Sequence, residues 1–124
     1  MTGNNAAVHV IDDDLAIRDA MQTLFRSVCM LCHCHASAES FLDTTDLQQP
    51  GCILLDLCMP GMNGLELQTE LCKRNCRMPV IFLSGNGGVN EAFDAMQNGA
   101  TDFLSKPVDD EVLISKVRAA LKME

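Results

Sequence analysis

Reactive polar side chains directly follow four short apolar segments of this chain. Asp12 and Asp13 come after the first segment, and three later segments lead to Asp56, Ser84 and Lys106. A carboxylate can act as a nucleophile toward phosphorus, and carboxylate oxygens are the ligands that Mg²⁺ prefers. A lysine and a hydroxyl can stabilise the oxygens of an anionic group held nearby. These residue types in this order indicate a site for phosphoryl chemistry.

The apolar segments have the pattern of strands that alternate with helices. Strands are predicted at residues 8–11, 31–35, 52–55, 80–83 and 101–104. The continuous apolar run at 52–55 is typical of a central parallel strand that is buried on both faces. Such alternation predicts an α/β fold with a parallel sheet covered on both sides. Because ligands bind beyond the carboxyl ends of parallel strands, the polar residues should meet there.

Helices are predicted from apolar residues at helical spacing and from capping residues. The apolar faces are Ile17, Met21, Leu24 and Val28; Leu65, Leu67 and Leu71; Val89, Ala92, Phe93 and Met96; and Leu113, Val117 and Leu121. The predicted N-caps are Asp14, Ser37 (for a short helix at 37–43), Asn63 with Glu66 in a capping box, and Asp109, while Gly99 ends a helix.

The composition restricts the classes of function. The chain has 124 residues and a net charge of −8, so one domain is expected and its acidity disfavours direct nucleic-acid binding. No stretch reaches the roughly 20 apolar residues of a membrane span, and the first residues lack the pattern of a signal peptide. We therefore expect no membrane contact, a cytoplasmic location and reduced cysteines.

Several motifs together resemble the receiver domain of two-component response regulators, over essentially the whole chain. The motifs are Asp12-Asp13, the segment from Leu54 to Gly64 around Asp56, Ser84-Gly85, the segment from Gly99 to Leu104, and Lys106-Pro107. The amino-acid sequence at residues 50–52 and 80–85 is most similar to that of the FixJ-type regulators, a subgroup with LuxR-type output domains.

The resemblance implies a fold in detail. It implies a doubly wound, flavodoxin-like (βα)₅ three-layer sandwich with the parallel strand order 2-1-3-4-5. A single receiver domain would occupy residues 1–124, with an ordered core at about 7–122, and the C-terminal DNA-binding output domain of FixJ-type relatives would be absent from this chain. It also implies a cis peptide between Lys106 and Pro107, where the residues alone favour a trans proline ahead of a helix.

The resemblance further implies that Asp56 takes a phosphoryl group from a sensor histidine kinase. Carboxylates about 5 Å apart repel by roughly 3 kcal/mol at an effective dielectric near 20, so the cluster needs a cation. We assign Mg²⁺, for which Mn²⁺ or Ca²⁺ can substitute, to Asp13 and Asp56 directly and to Asp12 through water. By resemblance, the backbone carbonyl of Cys58 is a further ligand, and Ser84 and Lys106 stabilise the phosphoryl oxygens.

Phosphorylation would be transmitted by Ser84 and Phe103, again by resemblance. The Ser84 hydroxyl would move toward the phosphoryl group, and Phe103 would turn inward. The fourth helix, fifth strand and fifth helix would then form a homodimer or contact an output domain, which controls transcription. The chain would be a phosphoacceptor that assists its own phosphorylation and dephosphorylation rather than an enzyme. The alternative is that Phe103 is a fixed core residue.

Three other functions share parts of this pattern. A phosphohydrolase of the haloacid-dehalogenase type also uses an aspartyl nucleophile and Mg²⁺, but it needs an acid two residues later, where this chain has Cys58. A flavin-binding protein fits the fold, but the chain has no Trp or Tyr to stack on the ring. A plain interaction module would not need all five polar residues.

The cysteines and histidines near the second strand are a fourth alternative, a metal or redox sensor. The candidate ligands are Cys29, Cys32, His33, Cys34 and His35. Alternation along a strand sends the cysteines and the histidines to opposite faces, so buried thiols beside a partly exposed histidine pair are the better interpretation.

We also make predictions for several individual residues. Cys52 and Cys72 are expected in the core, and Cys58 is expected to be exposed beside the site, where many relatives carry a basic residue. Asn86 replaces a histidine that FixJ-type relatives tend to carry.

Overall fold

The structure is a computed structural model that describes residues 6–85 and 89–122, apart from the side chain of Val89. Asn86 and residues 87–88 therefore lie outside the described residues, together with our expectation for Asn86.

Five strands alternate with five helices along the described ranges. The elements are β1 (Ala7–Ile11), α1 (Leu15–Ser27), β2 (Cys32–His35), α2 (Ala38–Thr44), β3 (Gly51–Asp56), α3 (Gly64–Lys73), β4 (Val80–Ser84), α4 (Val89–Gln97), β5 (Asp102–Ser105) and α5 (Asp110–Leu121). Each strand end lies within one residue of its predicted position.

The strands form one parallel sheet in the order β2-β1-β3-β4-β5, so the predicted fold is confirmed. In the register of the sheet, Ile11 pairs with Leu55, and Asp56 pairs with Leu83. The ends of β1, β3 and β4 are thereby brought to one edge, where the predicted site lies.

The helices begin where the caps were predicted. The side chains of Asp14, Ser37, Asn63 and Asp109 each accept a hydrogen bond from a backbone N–H in the first turn. Such caps satisfy N–H groups that have no partner within the helix. Asn63 and Glu66 form the expected capping box, and Gly99 adopts a φ of +100° after α4. Local chemistry therefore sets most of the helix ends.

Apolar layers cover both faces of the sheet. One layer contains Phe41, Leu67 and Ala95 from α2, α3 and α4, while the other contains Phe25 and Val117 from α1 and α5. β3 and β4 are buried along their whole length, as expected of central parallel strands. No helix in the described ranges is long and apolar enough to cross a membrane.

Two expectations about buried faces are wrong. Phe93 and Met96 of α4 are 61% and 46% exposed, and it is Ala95 that packs inward. Cys72 of α3 is exposed, whereas Cys52 is fully buried. Cys72 directly follows the buried Leu71, and adjacent helical residues point about 100° apart, so only one of them faces the core.

Candidate functional site

Three carboxylates meet at the carboxyl ends of β1 and β3. One oxygen each from Asp12, Asp13 and Asp56 lies within 4.8 Å of the others. Asp12 and Asp56 are buried, whereas Asp13 is exposed. The cluster therefore has one open side, and three carboxylate oxygens at this spacing suit a hard divalent cation that keeps several water ligands.

Backbone hydrogen bonds hold Asp12 in place. Its N–H donates to the carbonyl of His35 at 3.1 Å, which extends the β1–β2 pairing. Its Oδ1 accepts from the N–H of Asp14 at 3.0 Å, and its carbonyl accepts from Nη1 of Arg18 at 2.9 Å. Part of the hydrogen-bonding capacity of Asp12 is therefore used within the protein, while Asp13 faces solvent.

Asp56 ends the central strand β3, where its neighbours leave little space. The Gly64 N–H donates to the carbonyl of Leu57 at 3.0 Å, which brings the start of α3 close to this strand end. A Cβ at Gly64 would lie 2.6 Å from the carbonyl oxygen of Asp56. Only glycine permits this approach, so α3 depends on Gly64 to pack beside Asp56.

Lys106 supplies a cation to the acidic cluster. Its Nζ lies 2.8 Å from Oδ2 of Asp12 and 3.5 Å from Oδ1 of Asp56. Its backbone N–H donates to the carbonyl of Ser84 at 2.9 Å, and its peptide bond to Pro107 is cis. Burial alone would lower the pKa of Lys106, but the hydrogen bonds and charges of Asp12 and Asp56 raise it. Lys106 is therefore held as a cation.

The pKa of Asp56 is raised above its usual range. Burial is the largest cause and the negative charge of Asp12 is the next, while Lys106 and a backbone hydrogen bond from Cys58 act in the opposite direction. A second positive charge at the cluster would restore the ionised, nucleophilic form.

Ser84 and Phe103 lie on the neighbouring strands. Ser84 is buried at the end of β4, one residue beyond the partner of Asp56 in the register. Phe103 on β5 is half-buried and stacks on Phe82, with 6.0 Å between ring centroids. The structure therefore brings Ser84 toward the cluster, whereas Phe103 lies among the β4 and β5 side chains.

Cys58 follows Asp56 by two residues and is exposed, as expected. The sequence interpretation missed two residues. Arg18 donates a hydrogen bond to the Asp12 carbonyl, and the ring of His9 lies beside those of His33 and His35 on β2. The signal for Arg18 was a lone basic residue one turn into α1. The signal for His9 was a polar residue within an apolar strand.

The comparison with protein families identifies the class of protein. The family model described as the response regulator receiver domain matches residues 8–118 of this chain. With the sheet order and the acidic cluster in place, the chain belongs to the response regulator receiver family.

Curated relatives support the predicted subgroup. The chain is 47% identical over 114 residues to the transcriptional regulatory protein FixJ of Azorhizobium caulinodans, an alignment that covers 92% of this chain and 54% of the relative. It is 37% identical over 123 residues to the response regulator protein TodT of Pseudomonas putida, covering 99% of this chain and 54% of the relative. The chain thus spans about half the length of these relatives, and its similarity to FixJ-type regulators is confirmed.

Solved structures agree with this assignment. The crystal structure of FixJ-N superposes with a TM-score of 0.88 at 33% identity, covering 96% of this chain and 95% of that one. The Vibrio cholerae chemotaxis protein CheY4 superposes with a TM-score of 0.84 at 21% identity, covering 93% and 98%, which supports the fold alone.

Proposed function

We propose that this receiver domain accepts a phosphoryl group on Asp56 from a sensor histidine kinase. The observation that carries the proposal is the position of the Asp56 carboxylate, which lies within 4.8 Å of two other carboxylates and within 3.5 Å of the Lys106 ammonium. A bond between a carboxylate oxygen of Asp56 and phosphorus forms as the bond to the donor breaks. The product is an aspartyl phosphate.

The residues of the cluster fit a bound Mg²⁺. Asp13 and Asp56 would be direct ligands, Asp12 would act through water, and the Cys58 carbonyl would complete the protein ligands. When bound, the cation neutralises the negative charge of the entering phosphoryl group and of the carboxylates. Mn²⁺ and Ca²⁺ share the preference for oxygen and can substitute.

Lys106 and Ser84 stabilise the transferred group. Lys106 already lies between Asp12 and Asp56, so a modest rotation of its long side chain brings the ammonium to a phosphoryl oxygen. The Ser84 hydroxyl, at the end of the next strand, donates to another oxygen. Charge-assisted hydrogen bonds of this kind are stronger than those between neutral groups.

The readout of phosphorylation is a switch that couples Ser84 to Phe103. Movement of Ser84 toward the phosphoryl group changes the end of β4, against which β5 pairs. Phe103 is half-buried and can move further inward. Phe93 and Met96 on α4 and Val112 on α5 supply exposed apolar surface on the two helices. We propose that the α4–β5–α5 face forms a phosphorylation-dependent homodimer or contacts an output domain.

The wider role follows from the relatives. TodT is a response regulator and FixJ is a transcriptional regulatory protein, and both are about twice as long as this chain. We therefore propose a DNA-binding output domain outside the present sequence and control of transcription. The 124 residues would act as one receiver domain in the cytoplasm. With its net charge of −8, this domain would not contact nucleic acid itself.

The test is intact mass after incubation with acetyl phosphate. We expect a gain of one phosphoryl group with Mg²⁺, none with a chelator, and none in Asp56→Asn. The matched control is Asp43→Asn, an exposed aspartate on α2, which should be phosphorylated like the wild type. A full mass gain in Asp56→Asn would place the acceptor elsewhere and refute the proposal.

A further inference from the structure

Three histidines gather on one face of the sheet at its open edge. In the register, His9 of β1 pairs with His33 of β2, and His35 lies one diagonal step further along. The ring centroids of His33 and His35 are 5.6 Å and 5.5 Å from that of His9. The cysteines of β2 point to the opposite face, where Cys32 packs in the other apolar layer. On this face of β1 and β2, the side chains with metal-binding nitrogen or sulfur atoms are therefore imidazoles.

Two of these imidazoles already have the spacing of a chelating pair. Nδ1 of His9 lies 3.3 Å from Nε2 of His35. Nitrogens at the usual metal–nitrogen distance from one tetrahedral ion are about 3.3 Å apart. The same separation is long for a hydrogen bond, whose donor and acceptor are usually about 2.9–3.0 Å apart. Phe41 packs edge-on against the rings of both His9 and His35, which helps to hold the two rings in these positions.

The pair faces space that a ligand can enter. An open cleft of about 730 Å³ is lined by all three histidines and by the exposed Asp46, and Cys32 and Cys34 also contribute to its lining. The ring nitrogens of all three histidines do not lie within 4.8 Å of one another. His33 is exposed, and exposed side chains change rotamer rapidly, so rotation of its ring would complete the site. Water can supply a fourth ligand because the cleft is open to solvent.

The histidines are also in the correct protonation state. Burial, followed by the charges of His35 and His33, lowers the pKa of His9 to about 4. Burial and His33 lower the pKa of His35 as well. Both rings are neutral near pH 7, so each has a lone pair available for a metal.

We propose that His9, His35 and His33 form a second cation site, which binds a divalent late first-row transition metal ion such as Zn²⁺. Imidazole nitrogen suits these ions, whereas Mg²⁺ prefers oxygen and belongs at the acidic cluster. The two sites therefore select different metals. Because water completes the coordination, the ion exchanges readily rather than serving as a permanent structural element.

The test uses Co²⁺ as a spectroscopic substitute for Zn²⁺, in excess Mg²⁺ that occupies the acidic cluster and with a phosphine reductant. We expect one Co²⁺ per chain, with visible bands of nitrogen and oxygen ligation and no thiolate-to-cobalt charge transfer. His33→Ala and His35→Ala should each weaken binding by at least about tenfold. Cys34→Ala, on the other face of β2, should bind Co²⁺ like the wild type.

Two results would overturn the proposal. One is an affinity for Co²⁺ that neither histidine variant changes, and the other is a thiolate charge-transfer band that Cys34→Ala removes. His33 is exposed, so its variant should fold normally. If His35→Ala does not fold, imidazole NMR of the wild type with Zn²⁺ decides: shifted His9 and His35 resonances support the site, and unshifted resonances contradict it.

Discussion

The ammonium of Lys106 lies closer to Asp12 than to Asp56, at 2.8 Å from the first carboxylate and 3.5 Å from the second. Lys106 thus serves chiefly as the counterion of a buried aspartate next to the proposed phosphoacceptor. One carboxylate oxygen of Asp56 is thereby left with only a weak contact to the lysine. This arrangement leaves Asp56 available as a nucleophile while the negative charge of its neighbour is offset.

Replacing Lys106 by methionine should destabilise the fold in the absence of Mg²⁺. The carboxylate of Asp12, which is 3% exposed, would lose its counterion, at a cost of roughly 1–3 kcal/mol in the free energy of unfolding. Urea denaturation followed by circular dichroism measures this. The matched control is Lys116→Met, which breaks an ion pair with Asp102 that is also 2.8 Å long but more exposed, and should cost less than about 1 kcal/mol. Equal losses in the two variants would contradict our account.

Replacing Asp13 by asparagine should weaken Mg²⁺ binding at least about tenfold, because it removes a charged direct ligand. Since the chain has no Trp or Tyr, titration calorimetry is the suitable measurement. Asp14→Asn is the control, because asparagine caps helices as well as aspartate does and the cap lies outside the cluster. Wild-type affinity in Asp13→Asn would mean that the cation binds elsewhere.

Asp56→Asn should stabilise the Mg²⁺-free protein, by roughly 1 kcal/mol. The fold disfavours the ionised Asp56, whose pKa is raised by burial and by Asp12, so a neutral side chain relieves repulsion. Mg²⁺ should then stabilise the wild type but not the variant. Thermal unfolding with and without a chelator tests both statements.

Asp102→Asn is the control for Asp56→Asn, because we expect it to change the stability in the opposite direction. Burial acts to raise the pKa of Asp102, but hydrogen bonds from Lys116 and from the Phe103 N–H hold it below its usual range. Because the fold favours that charge, its removal should destabilise the protein. A loss of stability in both variants would show that repulsion at Asp56 is unimportant.

Phe103→Ala should separate phosphorylation from assembly. The mass gain on Asp56 should persist, whereas the increase in size that phosphorylation causes, measured by light scattering, should disappear. The reason is that the smaller side chain no longer couples movement of β4 to the α4–β5–α5 face. Leu31→Ala, which removes an apolar side chain that is 50% exposed ahead of β2, should assemble like the wild type. Normal assembly of phosphorylated Phe103→Ala would place the readout on another face.

Stability should decrease as the pH falls from about 6.5 toward 4, in part because of His9. The unfolded chain binds a proton at His9 over this range, but the folded chain, in which the pKa is lowered to about 4, does not. Because the unfolded state binds more protons, the free energy of unfolding decreases as the pH falls, by on the order of 3 kcal/mol in the limit. His9→Gln should therefore flatten the pH dependence.

This comparison is best made in the Asp56→Asn background. The raised pKa of Asp56 acts in the opposite direction, because its folded form gains a proton before the unfolded form does and stability rises there as the pH falls. If His9→Gln and its parent lose stability in parallel between pH 6.5 and 4, His9 is not the group responsible.

Local patterns in the sequence were sufficient to predict the strands and helices and most of the candidate site. Period-two and period-3.6 apolar patterns locate the strands and helices, and caps such as Asn63 depend on neighbours three residues away. The acidic cluster was predictable for a similar reason. Once the strands are parallel, Asp12 and Asp56 at their carboxyl ends must share one edge of the sheet.

Only the tertiary structure decided which residues meet across strands and which apolar residues remain outside. His9 and His35 are 26 residues apart, and their contact depends on the β1–β2 register, which no local pattern encodes. Phe93 has the spacing of a core residue, yet Ala95 occupies the core side of α4 and Phe93 faces solvent. Periodicity identifies an apolar face, but the packing of the whole chain determines how much of that face the sheet can cover.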